Sequence, residues 1–110
     1  MQATQTEKNA DTLKKTYNVA VVGATGVVGK EILSTLEQRN FPVAQLRLLA
    51  SARSAGQTYT YNGSDVLIED LEKASFEGVD FALFSAGGSI SKVYAPKAAA
   101  AGAVVIDNTS

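Results

Sequence analysis

The feature that most constrains the fold is a glycine-rich segment, GATGVVG, at residues 23–29. It follows a short β-branched run, YNVAVV (17–22), and precedes a segment (26–39) in which apolar residues recur at helical spacing. In a strand-to-helix turn of this kind, the first glycine permits a tight turn, the second lets a diphosphate approach the backbone, and the third lets the helix pack on the strand. The N–H groups of the helix's first turn then face the anion. The segment therefore predicts a dinucleotide site.

The spacing of these glycines limits how much they say about the enzyme. Successive glycines are three and three positions apart, whereas in the commonest dinucleotide fingerprint they are two and three positions apart. Several reductase families use the spacing seen here. No Gly-Lys-Ser or Gly-Lys-Thr follows, which excludes a Walker loop. A glycine turn without a ligand is the alternative, and the flanking strand and helix disfavour it. The candidate cofactor-binding residues of this loop are Gly23, Thr25, Gly26, Val27, Val28 and Gly29.

The rest of the chain alternates between strand and helix patterns. Further core strands are predicted at 45–50, 79–85 and 103–106, and a helix at 89–101 that kinks or restarts at Pro96. Asn62-Gly63 between alternating runs predicts a small antiparallel hairpin, in place of a second crossover helix. The fold class is therefore α/β, a Rossmann-like parallel sheet with flanking helices.

The predicted domain organisation is simple. The polar residues 1–16 predict a flexible N-terminal extension, without the pattern of a secretory signal or a transit peptide. Residues 17–110 predict one Rossmann half-domain, truncated after its fourth core strand and without a substrate or catalytic domain. One edge of the sheet, and part of a face that helices would otherwise cover, would then be left exposed.

Composition excludes several functions. Ten basic and eleven acidic residues are dispersed, so nucleic acid and membrane partners are not expected, and a small molecule is. The chain contains no Cys and no His, which excludes thiol catalysis, thiolate metal sites and the commonest general base, and no metal is expected.

The residues after the second core strand predict which dinucleotide binds. An NAD site usually has an acid there, whereas this strand runs into Ser51, Ala52, Arg53 and Ser54. The guanidinium fork of Arg53 and the two serine hydroxyls can hold a 2′-phosphate, which favours NADP. A solvated loop arginine is the alternative. Arg47, within the strand, is expected to face the rim or solvent.

Ligands of open α/β sheets gather beyond the carboxyl ends of the strands. Two more segments occupy such positions, SAGG after the third core strand and Asn108 after the fourth. The glycine-rich turn could equally serve to begin the next helix, with Ser89 as its N-cap. The candidate residues here are Ser85, Ala86, Gly87, Gly88 and Asn108.

The motifs GATGVVG, LASARSAG, VDFALFSAGGS and IDNTS occur in this order. Together they resemble the N-terminal part of the aspartate-semialdehyde dehydrogenases, from residue 17 to 110. The resemblance implies that the glycine loop holds the diphosphate, that Ser51, Arg53 and Ser54 hold the 2′-phosphate of NADP, that residues 85–89 lie along the cofactor, and that Asn108 approaches the nicotinamide.

The same resemblance implies a reaction, the NADPH-dependent reduction of L-aspartyl 4-phosphate to aspartate semialdehyde in lysine, threonine and methionine biosynthesis. The family's catalytic cysteine and histidine have no counterpart here, so the chain is expected to bind cofactor without catalysis. Substrate binding and homo-oligomer formation are expected only of the complete enzyme, in the cytoplasm or a plastid. The alternatives are a relative of N-acetyl-glutamyl-phosphate reductase and a free-standing, non-catalytic NADP-binding module.

Overall fold

The structure is a computed structural model that describes residues 15–108. Most of the predicted N-terminal extension, residues 1–14, and the last two residues lie outside that range. The described elements alternate as the sequence predicts and confirm the α/β class. In chain order they are β1 (Tyr17–Val22), α1 (Val27–Gln38), β2 (Val43–Ala50), β3 (Thr58–Tyr61), β4 (Ser64–Asp70), a 3₁₀ helix (Leu71–Lys73), β5 (Phe81–Phe84), α2 (Gly88–Ala100) and β6 (Val104–Asp107).

The six strands form one sheet in the order β3-β4-β2-β1-β5-β6. All neighbouring pairs are parallel except β3 and β4. The chain proceeds from β1 outward to β2 and β4, then returns across β1 to β5 and β6. This reversal makes the carboxyl end of β1 the switch point of the sheet, which is where open α/β sheets bind ligands.

The predicted hairpin is present, but it is more than an excursion from the sheet. Asn62 and Gly63 have φ of 49° and 81°, as a tight hairpin turn of this type requires. The second strand, β4, also pairs in parallel with β2, with Ile68 beside Leu48 and Asp70 beside Ala50. The antiparallel hairpin is therefore confirmed, and its second strand has a parallel neighbour that was not predicted from the sequence. The buried Ile68 side chain anchors β4 in the sheet.

Both faces of the central strands are buried. Val19, Val21 and Leu48 pack under α1 with Leu33, whereas alternate residues such as Ala20, Val22 and Leu49 pack on the α2 side around Phe84. Burial on two faces explains why β1 is an unbroken apolar run rather than an alternating one.

Helix α2 contradicts a new helix start at Pro96 and an N-cap at Ser89. It runs continuously through Pro96, which lies on an exposed part of the helix, so no new helix starts there. The N-cap is Gly87, at φ 102°, and Ser89 lies inside the helix rather than capping it. Gly102 follows the C-terminus of the helix, with φ of 101° and an N–H that donates to the Ala99 carbonyl at 3.0 Å.

Part of the sheet face on the α1 side is not covered by a described helix. Helix α1 lies over β1 and β2, and the apolar side chains of β5 and β6 beyond it border a cavity of about 180 Å³ that includes Phe81, Leu83 and Ile106. Val104 and Ile106 are half exposed, at 56% and 50%. The expectation that part of a helix-covering face is open therefore holds for residues 15–108. Within the same range, no helix is long and apolar enough to cross a membrane.

Tyr61, at the end of β3, carries an unusual polar group in the core. The side chain is only 6% exposed, and its hydroxyl has no hydrogen-bond partner among the described residues. Glu37 of α1 lies near, since its carboxylate accepts the Asn62 N–H at 2.7 Å. Burial, and to a lesser extent the charge of Glu37, raise the pKa of the Tyr61 hydroxyl above its ordinary value.

Tyr61→Phe should therefore leave the free energy of unfolding at pH 7 unchanged or raise it by up to about 1 kcal/mol, because an unpaired buried hydroxyl is removed. A pKa raised by folding contributes stability below the unfolded value of about 10 that is lost as pH rises above it. The variant should accordingly lose less stability between pH 7 and about pH 11. Urea unfolding at the two pH values measures both effects, with Tyr59→Phe as the control. A clear loss of stability at pH 7 would show that the hydroxyl has a partner.

Candidate functional site

The glycine loop begins where β1 ends, and its first glycine is fixed by geometry. Gly23 has φ of +88°, and a Cβ on it would lie 2.9 Å from the Cα of Ala86. Its N–H donates to the Leu49 carbonyl at 2.8 Å, which ties the loop to the end of β2. Both the positive φ and the close approach of Ala86 therefore require glycine at this position.

The third glycine is required by packing. A Cβ on Gly29, in the first turn of α1, would lie 2.1 Å from the Gly23 carbonyl oxygen and 2.9 Å from the Cα of Ala24. Those two atoms belong to the backbone and cannot move aside. Gly29 thus lets the helix lie directly on the loop.

The second glycine differs, because neither the backbone conformation nor the packing requires a glycine at this position. Gly26 has φ of −78°, and a Cβ there would meet nothing closer than the Gly23 carbonyl oxygen at 3.6 Å. It is the N-cap of α1, without a side-chain cap, and the first turn carries no acidic residue. The N–H groups of that turn are therefore left for an outside acceptor, and the space beside Gly26 is open for it to approach.

These features face a cavity of about 400 Å³ at the carboxyl ends of β1, β2 and β5. Its volume is in the range of small-molecule sites. The structure brings six of the predicted residues together in its lining, Gly23, Thr25, Gly26, Ser51, Ser85 and Ala86. Six that were not predicted complete it, Ala50, Ala52, Leu71, Glu72, Ile90 and Tyr94.

Four of the unpredicted residues come from two elements, the 3₁₀ helix after β4 and helix α2. Leu71 and Glu72 follow β4, so they reach the cavity because β4 is a parallel strand beside β2. Ile90 and Tyr94 lie on the first turns of α2, and Lys97 places its ammonium 5.1 Å from the centre of the Tyr94 ring. If β4 had been predicted as a parallel strand, Leu71 and Glu72 would have been expected at the same edge of the sheet as the other site residues.

The predicted 2′-phosphate residues lie at the edge of the cavity. Ser51 lines it, whereas Arg53 and Ser54 do not. The segment turns tightly, since the Ser51 carbonyl accepts the N–H groups of Ser54 at 2.9 Å and Ala55 at 3.1 Å. Arg53 is exposed at the tip of this turn. Its guanidinium therefore has freedom to move toward a ligand that extends from the cavity.

Ser85 holds the glycine loop in place by hydrogen bonds to the end of β1. Its backbone N–H donates to the Val22 carbonyl at 2.9 Å, and its hydroxyl donates toward the Val22 and Gly23 carbonyls at 3.2 and 3.4 Å. These bonds hold the end of β5 against the end of β1 and place Ala86 under Gly23. Gly87 follows with φ of 102°, and Gly88 begins α2. Neither of these glycines lines the cavity.

Asn108 lies on the other side of the loop. Its N–H donates to the Phe84 carbonyl at 2.8 Å. It borders a separate, open groove of about 270 Å³ along α1, which Val28 also lines. The preceding Asp107 accepts the Ser91 hydroxyl at 3.2 Å, which joins the end of β6 to α2. The structure thus places Asn108 and Val28 together, apart from the main cavity, while Val27 is 77% exposed.

Arg47 does not contribute to the site. Its side chain is half-buried, at 18% exposed, and does not extend freely into solvent. The guanidinium donates to both carboxylate oxygens of Glu69, at 3.1 and 2.7 Å, and to the Ser75 carbonyl. The hydrogen bonds to Glu69 raise the pKa of Arg47 further above its usual value. This bidentate pair joins β2 to β4.

The described residues offer no cluster of three or more His, Cys, Asp or Glu side chains that could hold a metal ion. The chemistry that the cavity offers is binding: backbone N–H donors for an anion at one end and apolar walls at the other. It presents no paired nucleophile and base.

Comparison with known proteins places this site among related ones. Residues 18–110 match the family model described as semialdehyde dehydrogenase, NAD binding domain. An aspartate-semialdehyde dehydrogenase of Legionella pneumophila is 55% identical over 98 residues, covering 89% of this chain and 28% of its own length. The enzyme of the same name from Bacillus subtilis is 56% identical, covering 84% of this chain and 27% of its own. The chain thus spans little more than a quarter of these relatives.

Solved structures give the same picture. The crystal structure of aspartate semialdehyde dehydrogenase II from Vibrio cholerae, complexed with ASA, matches with a TM-score of 0.84 and 54% identity over 86% of this chain and 31% of its own. An aspartate semialdehyde dehydrogenase from Candida albicans, solved with NADP, matches with a TM-score of 0.65 at 19% identity, over 86% of this chain and 30% of its own. At that identity the likeness concerns the fold alone.

The two interior glycines of the loop should respond differently to the same substitution. Gly29→Ala should lower the free energy of unfolding by about 3 kcal/mol or more, because its Cβ meets fixed backbone. Gly26→Ala should cost less than about 1 kcal/mol, the difference between Gly and Ala at an N-cap. Urea unfolding of both variants makes the comparison. Equal losses would contradict the assignment of Gly29 to packing and Gly26 to ligand access.

Proposed function

Because the chain belongs to the family of semialdehyde dehydrogenase NAD-binding domains, we propose that it is the cofactor-binding part of an aspartate-semialdehyde dehydrogenase and that it holds NADP(H) at the glycine loop. The observation that carries this proposal is the uncapped first turn of α1, which opens beside Gly26 into the cavity at the switch point of the sheet. Relatives at about 55% identity carry that enzyme's name.

In the proposed complex, the diphosphate lies beside Gly26. The N–H groups of the first turn donate to it, and the positive end of the α1 dipole adds to the attraction. No carboxylate lies in that turn to oppose the anion. Gly23 and Gly29 set the position of the donors, since both are needed for the packing of the loop.

In the same complex, the segment after β2 binds the 2′-phosphate. Ser51 lines the cavity and Ser54 follows one turn later, so their hydroxyls can donate to phosphate oxygens. Arg53 can close over the same group with two parallel N–H donors. No acid stands in residues 51–54 to bind a free ribose hydroxyl or to repel the phosphate. This is the physical basis for preferring NADPH over NADH.

The nicotinamide half extends toward the opposite side of β1. Ala86 and Gly87 lie between the diphosphate position and α2, which begins at Gly88, and the two glycines leave the surface there free of side chains. Asn108 stands at the end of β6, in the groove that Val28 shares. Its amide can hydrogen-bond the carboxamide of a nicotinamide that reaches this groove.

In the complete enzyme, the reaction is reduction of L-aspartyl 4-phosphate to aspartate semialdehyde with release of inorganic phosphate, and bound NADPH supplies the hydride. A cysteine thioester and a histidine acid/base serve this chemistry in the family, and this chain contains neither residue type. Its contribution is therefore cofactor binding. Substrate binding and homo-oligomer formation belong to the complete enzyme. A cytoplasmic location suits this biosynthetic reaction, with a plastid as the alternative.

Fluorescence titration of the chain with NADPH and NADH tests the cofactor proposal. The chain should bind NADPH more tightly, and Arg53→Ala should weaken NADPH about tenfold, or roughly 1.5 kcal/mol, the lower end of the range for a charged hydrogen bond because Arg53 is exposed. Binding of NADH should hardly change, since it has no phosphate for the guanidinium to hold.

Arg39→Ala is the matched control, since Arg39 is an exposed arginine at the opposite end of α1. It removes the same charge and should leave both affinities as they are. Equal binding of the two cofactors by the unmodified chain, or equal weakening of both by Arg53→Ala, would contradict the assignment of Arg53 to the 2′-phosphate.

A further inference from the structure

The main cavity has a single charged residue in its lining. Of the twelve described residues that form it, only Glu72 bears a charge. We infer that Glu72 recognises the adenine base of the cofactor by accepting a hydrogen bond from its exocyclic amine. This inference rests on the proposed binding of NADP(H) and adds a residue that selects the base.

The sheet order determines which part of the cofactor reaches Glu72. The diphosphate position is at the end of β1, and β2 and β4 follow on one side, with β5 and β6 on the other. A dinucleotide whose 2′-phosphate lies by Ser51, after β2, extends its adenosine in the direction of β4. The next residues that it meets on that side are Leu71 and Glu72, which begin where β4 ends.

The cavity at this end suits a flat aromatic ring. Leu71 is 6% exposed and forms an apolar wall, and Ile90 and Tyr94 of α2 are half-buried and complete the lining. Lys97 lies over the Tyr94 ring, with 5.1 Å from its ammonium to the ring centre, which helps to hold that ring in place. A base that packs on Leu71 has an apolar surface against one face, and its edge is free for hydrogen bonding.

Glu72 is held at the edge of this space. The Asp70 carboxylate accepts the Glu72 N–H at 3.0 Å and caps the 3₁₀ helix, which fixes the backbone of Glu72 relative to β4. The Glu72 side chain itself is exposed, and an ionised carboxylate can only accept hydrogen bonds. A phosphate would be repelled by it. The adenine amine is a donor that lies on the edge of the ring, so it is the complementary group.

Binding of deamino-NADPH tests the inference, because hypoxanthine presents a carbonyl oxygen where adenine presents the amine. The unmodified chain should bind NADPH about tenfold or more tightly than deamino-NADPH, since the carboxylate gains a donor in one case and faces an acceptor in the other. In Glu72→Gln the ratio should fall to within about threefold, because an amide can accept from the amine and donate to the carbonyl. Glu72→Ala should also lose the preference.

Glu77→Gln is the matched control. Glu77 is exposed, lies between the 3₁₀ helix and β5, and does not line the cavity, so this change removes the same charge without touching the base. The preference for NADPH over deamino-NADPH should persist in it. Thermal unfolding followed by circular dichroism should give the same midpoint for all these chains, since both glutamates are exposed.

The possible failures can be told apart. If the unmodified chain binds NADPH but binds deamino-NADPH equally well, or if Glu72→Gln keeps the full preference, Glu72 does not recognise the base and the cofactor proposal stands. If Glu72→Gln changes the ratio of NADPH to NADH and leaves the base preference intact, Glu72 acts on the ribose, which also overturns the inference. If neither NADPH nor NADH binds, the cofactor proposal and this inference fail together.

Discussion

The rest of the site depends on the close contact between α1 and the loop that precedes it. At Gly29 the helix lies on the Gly23 carbonyl so closely that not even a methyl group fits between them. Ala86 presses on Gly23 from the other side, supported by the hydrogen bonds of Ser85 to the end of β1. The loop is therefore fixed between two backbones. Its position sets where the first-turn N–H groups point, and an anion site made of backbone donors requires that they do not move.

The elements set by local sequence could be predicted, and the one set by a distant partner could not. The apolar run of β1 and the Asn62-Gly63 turn each act over a few residues, so the first strand and the hairpin could be predicted. The pairing of β4 with β2 joins residues about twenty positions apart, and the segment SDVLIED is equally compatible with an edge strand of a hairpin. The misplacement of β4 also explains why Glu72 was missed.

Side-chain roles were harder to predict than backbone roles. Arg47 sits in an alternating strand, and its bidentate pairing with Glu69 depends on the same unpredicted contact between β2 and β4. Ser89 has the side chain of an N-cap, but the positive φ of Gly87 starts α2 before it. The glycines of the loop, by contrast, were placed correctly in sequence, because backbone geometry leaves few alternatives there. Of these three glycines only Gly26 is dispensable to the packing of the loop, in keeping with the predicted role of the second glycine beside a ligand.

This distinction divides the proposed site into two parts with different physics. Around Gly26, the donors belong to the backbone and carry no side-chain charge, so they suit any diphosphate and select little. Selection must come from side chains on the β2 and β4 side, where Arg53 and Glu72 carry opposite charges. A cation suits the 2′-phosphate and an acceptor suits the base amine, and the two demands are compatible only if the groups are kept apart. Arg53 follows β2 and Glu72 follows β4, so in the proposed complex their placement after neighbouring strands would keep them apart.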